Sequence, residues 1–223
     1  MVANTLEACV TRLRSGPVQP RMLIRLLEQA TGEAVRSGEI LRHVRELVQN
    51  RQPRRERVDL RRVIQTVARL LAGELEAHRI TLHLELGSRE LPVDVVRVQL
   101  GQVLLNLLQN AIDAVRAARG HRRQITVRAA KSSAGVVGVS VHDTGTGISE
   151  RLARRMFEPL FTTKRGGLGM GLAISRSVVE AHDGRLGVIP GKRGQGGATL
   201  RFTLPLAAGT GRPRRARRKP KAR

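Results

Sequence analysis

The sequence of 223 residues has very few aromatic residues and a single cysteine, Cys9. One cysteine cannot form an intrachain disulfide, and no cluster of cysteines and histidines has the spacing of a zinc site. Tryptophan and tyrosine are absent and only three phenylalanines occur, so few rings are present on which single-stranded bases could stack. No apolar run approaches the roughly 18 residues of a membrane helix. We therefore expect a cytoplasmic protein without a membrane segment.

The formal net charge of +23 at first suggests a nucleic-acid partner. The charge does not form one patch, however. Eight Lys and Arg residues lie among the last twelve residues, and the rest are spread along the chain. Arginine outnumbers lysine throughout, a bias that GC-rich coding also produces. We predict no specific nucleic-acid function, and polyanion binding by the Arg-rich tail is an alternative.

The residue patterns divide the chain into three parts. Residues 1–54 carry two helical patterns separated by Gly16-Pro17, and the second has apolar residues at sevenfold spacing. This predicts a partial helical hairpin that forms a homodimer. Residues 55–206 have the composition of a compact mixed domain. Residues 207–223 are rich in Gly, Pro and Arg and are predicted to be disordered.

Helical and strand periodicities alternate within residues 55–206. Helices are expected at about 95–118 and 170–182, and another carries the apolar residues from 63 to 71. Every second residue is apolar in the strand patterns at 80–86, 125–129, 137–141 and 200–204. These elements predict an α/β sandwich in which helices cover one face of a mixed sheet.

The helix expected at 95–118 is apolar except for one polar stripe. Asn106, Asn110 and Asp113 recur at i, i+4 and i+7, so they share one face. Amide and carboxylate oxygens are hard ligands suited to Mg²⁺, which binds together with phosphates and water. An ordinary solvated helix face is the alternative.

A second polar cluster directly follows an apolar strand pattern. Asp143 stands at the strand end and precedes Gly145 and Gly147. A buried carboxylate at this place can accept a hydrogen bond from an exocyclic amine, and the glycines let the backbone approach a flat ring. An Asp-Thr-Gly turn without a ligand is the alternative.

A glycine run precedes the helix expected at 170–182. Backbone amides at a glycine-rich helix start attract phosphate, and a flexible hinge is the alternative. The spacing fits neither a dinucleotide fingerprint nor a Walker P-loop. Residues 156–164, just upstream, join apolar anchors to Lys164. They are suited either to a mobile lid over phosphates or to a charged surface loop.

Taken in order, these motifs resemble the boxes of the ATP-binding domain of sensor histidine kinases over about residues 56–206. The boxes are the asparagine helix, Asp143-x-Gly145-x-Gly147, residues 157–164, Gly167-x-Gly169-x-Gly171 and Gly196-Gly197-Ala198-Thr199. The short Phe-Thr-Thr-Lys segment is most similar to oxygen-sensor and nitrogen-regulation kinases. The resemblance implies an α+β, Bergerat-type two-layer sandwich, shared with the gyrase and heat-shock-protein-90 ATPases.

The resemblance also implies roles in binding ATP and Mg²⁺. Asn110, assisted by Asn106, would hold magnesium, and Asp143 would bind the adenine amine. The base pocket would be lined by Gly145, Gly147, Leu172 and Thr199. The phosphates would be faced by Lys164, Gly167, Gly169 and Gly171, with Thr163 and Leu168 in the same nucleotide-binding set.

Catalysis would rest on Asn106, Asn110 and Lys164. The related ATPases have a water-activating glutamate at the position of Asn106, and an amide cannot act as a general base. The site is therefore expected to hold ATP without hydrolysing it and to transfer the γ-phosphoryl group, a reaction that depends mainly on positioning and charge neutralisation.

The acceptor histidine of the family is missing from this sequence. In the family that histidine precedes an acidic residue and then Asn or Gln-Pro-Leu, and none of the six histidines fits, including His43 on the second predicted helix. We expect a truncated chain, a misplaced start codon, or an acceptor supplied in trans. The resemblance implies a response regulator as partner. A non-catalytic ATP-binding regulator is the alternative.

Overall fold

The computed structural model describes residues 54–118, 122–132, 135–164, 169–190 and 196–207. Apart from their boundary residues, the predicted N-terminal hairpin and Arg-rich tail lie outside the described residues. The described residues of 54–161 and 169–207 belong to one compact unit, and residues 162–164 are assigned to another. None of the helices in the described ranges combines the length and apolar character that a bilayer crossing requires.

The part of the chain that the structure describes has seven strands and five helices. They are β1 (Glu56–Asp59), α1 (Leu60–Leu70), α2 (Ala72–Ala77), β2 (Thr81–Glu85), β3 (Pro92–Val95), α3 (Arg97–Ala117), β4 (Gln124–Lys131), β5 (Val136–Asp143), α4 (Glu150–Arg155), α5 (Gly171–Ala181), β6 (Arg185–Pro190) and β7 (Ala198–Pro205).

Five of these strands form one mixed sheet in the order β2-β4-β5-β7-β6. Strand β2 runs parallel to β4, whereas every other neighbouring pair in this sheet is antiparallel. Strands β1 and β3 form a separate antiparallel pair.

One face of the sheet is apolar because every second residue of its central strands is apolar. Val139 of β5 lies between Ala129 of β4 and Phe202 of β7, and all three side chains are buried. Helices α3 and α5 pack against these strands. The intervening residues, such as Arg128 and Arg201, are exposed. The predicted α+β sandwich, with helices on one face of a mixed sheet, is confirmed.

Helix α3 is the central helix of the covering layer and contacts both α1 and α5. Its observed bounds agree with the helix expected at 95–118. Apolar residues recur at spacings of three and four and so form one stripe facing the core. The buried residues are Leu100, Val103, Leu104, Leu107, Leu108, Ala111, Ile112 and Val115. The half-buried residues between them are available to contact α5.

Asp59 connects the small two-stranded sheet to the helical layer. Its carboxylate caps α1 by accepting a hydrogen bond from the backbone N–H of Arg61 at 3.1 Å. The same oxygen accepts a second bond from the N–H of Leu91, just before β3. An N-cap of this kind satisfies a backbone donor that the first helical turn cannot pair.

Candidate functional site

Asp143 is the last residue of β5, and only 6% of it is exposed. One carboxylate oxygen accepts a hydrogen bond from the N–H of Gly145 at 2.8 Å, and the N–H of Ala198 also donates to this side chain. Burial raises the pKa of Asp143 above its ordinary value, although these two donors and the neighbouring His142 act in the opposite direction. Asp143 is thus a buried acceptor at the end of a central strand.

The loop after β5 is held between α3 and the start of β7. A Cβ atom on Gly145 would lie only 2.5 Å from the carbonyl carbon of Ala114 on α3. The carbonyl of Gly145 accepts a hydrogen bond from the N–H of Gly197 at 2.9 Å. Gly147 and Gly197 both have φ of +77°, a conformation that side chains disfavour. The predicted glycines therefore allow close backbone packing around Asp143.

Asn106 contacts the first turn of α5. Its side-chain amide donates a hydrogen bond to the hydroxyl of Ser175 at 2.9 Å, and Ser175 is only 3% exposed. Its amide oxygen faces Gly171, where an added Cβ would lie 2.5 Å away. The side chain expected to assist a magnesium ion is thus packed between α3 and α5.

The rest of the polar stripe on α3 is half-buried. Asn110 lies one turn beyond Asn106, and Asp113 forms an ion pair with Arg116 at 3.7 Å. The stripe is therefore not the fully solvated face that was the alternative interpretation. Asn110 stays the predicted magnesium ligand of this stripe.

Helix α5 begins in the predicted glycine run. Met170 stands at its N-cap and provides no side-chain oxygen to the unpaired backbone amides of the first turn. Gly169 has φ of +66°, and a Cβ there would lie 2.5 Å from the carbonyl carbon of Leu160. Leu172 is half-buried and packs against the core. The helix start is therefore not capped by the side chain of Met170, and a glycine-rich helix start is of the kind that binds anions.

Cation–π contacts anchor the segment that follows α4. The guanidinium of Arg155 lies 4.4 Å from the centre of the Phe161 ring, and that of Arg176 on α5 lies 5.5 Å from Phe157. Leu160, between these rings, has φ of +65° and is 72% exposed. Two of the three phenylalanines of the chain thus fix this segment.

Residues 162–164 are the last residues of the predicted lid, 156–164. Thr163 and Lys164 are exposed, and the backbone N–H of Lys164 donates to the hydroxyl of Thr162 at 3.1 Å. Gly167, which is predicted to face the phosphates, and Leu168, which is predicted to bind the nucleotide, lie outside the described residues. The structure therefore does not place Lys164 relative to Asp143.

Thr199 and Asp143 lie on opposite faces of the sheet. The Thr199 hydroxyl is 3.0 Å from Nδ1 of His142, its cross-strand partner. Ala198 is instead the residue paired with Asp143 and buried beside it. Because strand side chains alternate between faces, the Thr199 side chain lies on the face opposite to the one that carries the Asp143 carboxylate.

Sequence reasoning also missed His182, which is buried just after α5. Its Nε2 accepts a hydrogen bond from the N–H of Val96 at 3.0 Å, and its Nδ1 is 2.8 Å from the carbonyl of Val178. This pattern requires the neutral ring with the proton on Nδ1. His182 thus joins the end of α5 to the start of α3. A histidine directly after a predicted helix could have indicated that its ring makes hydrogen bonds at the helix end.

Residues 95–208 match the family described as histidine kinase-, DNA gyrase B- and HSP90-like ATPase. The sensor protein TdiS of Thauera aromatica is 35% identical over 208 residues, which cover 91% of this chain and 37% of TdiS. The sensor protein FixL of Bradyrhizobium diazoefficiens is 37% identical over 183 residues, which cover 81% of this chain and 35% of FixL. The chain thus spans little more than a third of the length of these relatives.

A solved structure of the histidine kinase ThkA in complex with the response regulator TrrA is also similar. The TM-score is 0.70 at 26% identity, and the match covers 92% of this chain and 59% of that one. The similarity therefore extends from sequence to backbone.

Proposed function

We propose that this chain, which belongs to the family of histidine kinase-, DNA gyrase B- and HSP90-like ATPases, is the ATP-binding part of a sensor histidine kinase. It binds ATP and transfers the γ-phosphoryl group to a histidine. The observation that carries this proposal is the buried Asp143 carboxyl, which lies in a glycine cradle between α3 and β7. A buried acceptor of this kind selects a ligand with a matching donor.

The adenine end of the nucleotide lies at Asp143. The exocyclic amine of adenine donates to the carboxylate, which already accepts from Gly145. Gly145 and Gly147 allow the backbone to approach the ring, and Leu172 supplies an apolar contact. Ala198, rather than Thr199, completes this side of the pocket. This arrangement favours adenine over a base with a carbonyl at the same position, because two acceptors would then face each other.

The phosphates lie at the start of α5, where the side chain of Met170 does not cap the helix and Gly169 and Gly171 let a ligand approach the backbone. The resemblance to the kinase family assigns further phosphate contacts to Lys164 and Gly167, and nucleotide binding to Thr163 and Leu168. Asn110 holds Mg²⁺ through its amide oxygen, a donor that fits this ion when phosphates and water supply the other ligands. Bound Mg²⁺ supplies charge neutralisation at the phosphates.

Asn106 disfavours hydrolysis of the bound nucleotide. Its side chain is an amide and is hydrogen-bonded to Ser175, so it cannot take a proton from water. ATP therefore persists until an acceptor histidine arrives. Phosphoryl transfer then needs the positioning and charge neutralisation that Lys164, Asn110 and α5 provide.

A response regulator receives the phosphoryl group from that histidine. The names of TdiS and FixL as sensor proteins, and the ThkA complex with a response regulator, support this partner. The kinase acts as a homodimer in the cytoplasm, since the sevenfold pattern within residues 1–54 predicts a paired helical hairpin.

A binding experiment tests the nucleotide site. Calorimetric titration with a non-hydrolysable ATP analogue and Mg²⁺ is expected to give saturable binding to the wild type. Asp143→Ala and Asn110→Ala should each weaken it about tenfold or more, because the first removes the buried acceptor for the adenine amine and the second removes the oxygen proposed to hold Mg²⁺. Asp94→Ala, an exposed carboxylate on β3, is the matched control and should bind normally. No binding to the wild type would contradict the proposal.

A transfer experiment tests the reaction. The chain is mixed with a separately expressed helical hairpin that carries an acceptor histidine, and γ-labelled ATP is added. Label on the histidine is expected, and a hairpin with that histidine changed to Gln should remain unlabelled. Binding without any transfer would favour the non-catalytic ATP-binding regulator instead.

A further inference from the structure

Gly171 and Ser175 form a notch on the face of α5 that meets α3. They are four residues apart, so they lie one above the other on the same helix face. The Asn106 side chain occupies this notch, with its amide nitrogen on the Ser175 hydroxyl at 2.9 Å and its oxygen against Gly171. We call Gly171 and Ser175, together with the Asn106 side chain that lies between them, the Asn106 notch.

The Asn106 notch depends on the absence of a side chain at Gly171 and on the hydroxyl group of Ser175. A Cβ on Gly171 would lie 2.5 Å from the Asn106 oxygen and displace the side chain. Ser175 is one of three buried polar or charged residues among those that the structure describes, and its hydroxyl pairs with Asn106. A buried hydroxyl without a partner destabilises a protein, so this pair favours one position of α5 on α3.

We infer that Ser175 is a positioning residue that, through Asn106, sets the register between the phosphate-binding start of α5 and the magnesium ligand Asn110. This inference rests on the proposed function. Asn110 lies one turn beyond Asn106, about 6 Å along the same rigid helix. Gly171, at the other side of the notch, is the first residue of α5. The notch therefore ties together the two elements that must meet at the phosphates.

The position of α5 along α3 matters most when magnesium is bound. Mg²⁺ demands near-ideal octahedral geometry, with short and inflexible bonds to its oxygen ligands. A small slide of α5 along α3 would move the phosphates relative to Asn110 and strain those bonds. The hydrogen bond between adenine and Asp143 would be unaffected, because Asp143 belongs to β5 and is held by Gly145 and Ala198.

The predicted consequence is a loss of coupling between magnesium and nucleotide. We compare the affinity for a non-hydrolysable ATP analogue in excess Mg²⁺ with that in EDTA, and take their ratio. In Ser175→Ala this ratio should fall about three- to tenfold, the range expected for one neutral hydrogen bond, because the affinity in EDTA falls less than the affinity in Mg²⁺. Ser177→Ala, an exposed serine on the same helix, is the matched control and should keep the wild-type ratio.

The variant is expected to fold, because His182 still fixes the other end of α5 to Val96. Thermal unfolding checks this. A double-mutant cycle with Asn106→Ala provides a second measurement: if both residues act through one contact, Asn106→Ala and Asn106→Ala/Ser175→Ala should have the same ratio. Ser175→Thr retains the hydroxyl and should recover part of the coupling.

Each outcome decides between distinct interpretations. A Ser175→Ala ratio equal to that of the wild type overturns the inference and leaves the proposed function intact. So does an equal loss in Mg²⁺ and EDTA, which would indicate general loosening. A wild type that binds the analogue without any Mg²⁺ enhancement, or does not bind it, contradicts the proposed magnesium site itself. That failure is recognised before any variant is measured.

Discussion

Gly145→Ala is expected to destabilise the protein by about 2 to 4 kcal/mol and to weaken nucleotide binding. Gly145 lies where the loop after β5 passes directly over α3. The added Cβ would be 2.5 Å from the Ala114 carbonyl carbon and 2.7 Å from its Cβ. Carbon atoms normally approach to no less than about 3.5 Å, so the loop must move by about 1 Å.

The magnitude follows from the contacts that such a shift breaks. The N–H of Gly145 donates to Asp143, and its carbonyl accepts from Gly197. Weakening two hydrogen bonds costs about 0.5 to 1.5 kcal/mol each, and residual overpacking adds about 1 to 3 kcal/mol. The sum of these costs exceeds about 4 kcal/mol only if neither the hydrogen bonds nor the overpacked contact relaxes.

Urea denaturation gives the free energy of unfolding, and titration with an ATP analogue gives the affinity. Gly101→Ala is the matched control, because Gly101 lies on α3 and its added Cβ would have no atom within 4 Å. Since alanine is the better helix former, this control should instead stabilise the protein by about 0.5 to 1 kcal/mol at unchanged affinity.

A Gly145→Ala protein as stable as the wild type would refute the close approach of the loop to α3. Lost stability with normal nucleotide affinity would refute the proposal that this loop positions Asp143. A destabilised Gly101→Ala protein would show that the reasoning from the glycine environment fails on α3 in general.

The structure predicts the direction in which three other substitutions change the stability of the protein. Burial raises the pKa of Asp143, so its contribution to stability is full below the unfolded pKa of about 3.9 and is lost as pH rises through the folded value. The stability of Asp143→Asn relative to the wild type should therefore increase with pH in urea titrations. His182→Ala leaves the Val96 N–H and the Val178 carbonyl without this partner and should destabilise by about 2 to 4 kcal/mol in the same assay. Leu160→Gly should stabilise by about 0.5 to 1 kcal/mol, because Leu160 has φ of +65° and little burial.

A different result would contradict each of these three predictions. A pH-independent difference for Asp143→Asn would contradict the raised pKa. A His182→Ala protein with wild-type stability would mean that its two hydrogen bonds are replaced by water. Destabilisation by Leu160→Gly would assign the exposed side chain a stabilising contact.

Periodicity predicted the central layers of the fold. The alternation in β4, β5 and β7 and the helical stripe of α3 arise from burial on one face, which any correct fold must satisfy. The pair of β1 and β3 was not predicted. Its four-residue strands contain charged residues, and their pairing depends on contacts between distant parts of the chain.

The sequence also indicated which polar residues to examine, but not all their partners. Asp143 was expected at a strand end and is buried there. The face of α3 that carries Asn106 was expected, whereas its contact with Ser175 depends on how α5 packs. The face of the sheet on which Thr199 lies was not predicted, because a displacement of one residue along a strand reverses the face and the glycines before β7 do not reveal which residue pairs with Asp143.

The backbone contact of Gly169 with Leu160 and Phe161 determines how the protein responds to a change in the number of residues between them. Residues 161 and 169, which flank residues 162–168 in the sequence, belong to one compact unit and lie against each other. Doubling the number of residues between such points costs only about 0.6 kcal/mol of closure entropy. Insertions at this position should therefore leave the folded frame almost unchanged, which makes it a suitable site for a reporter sequence.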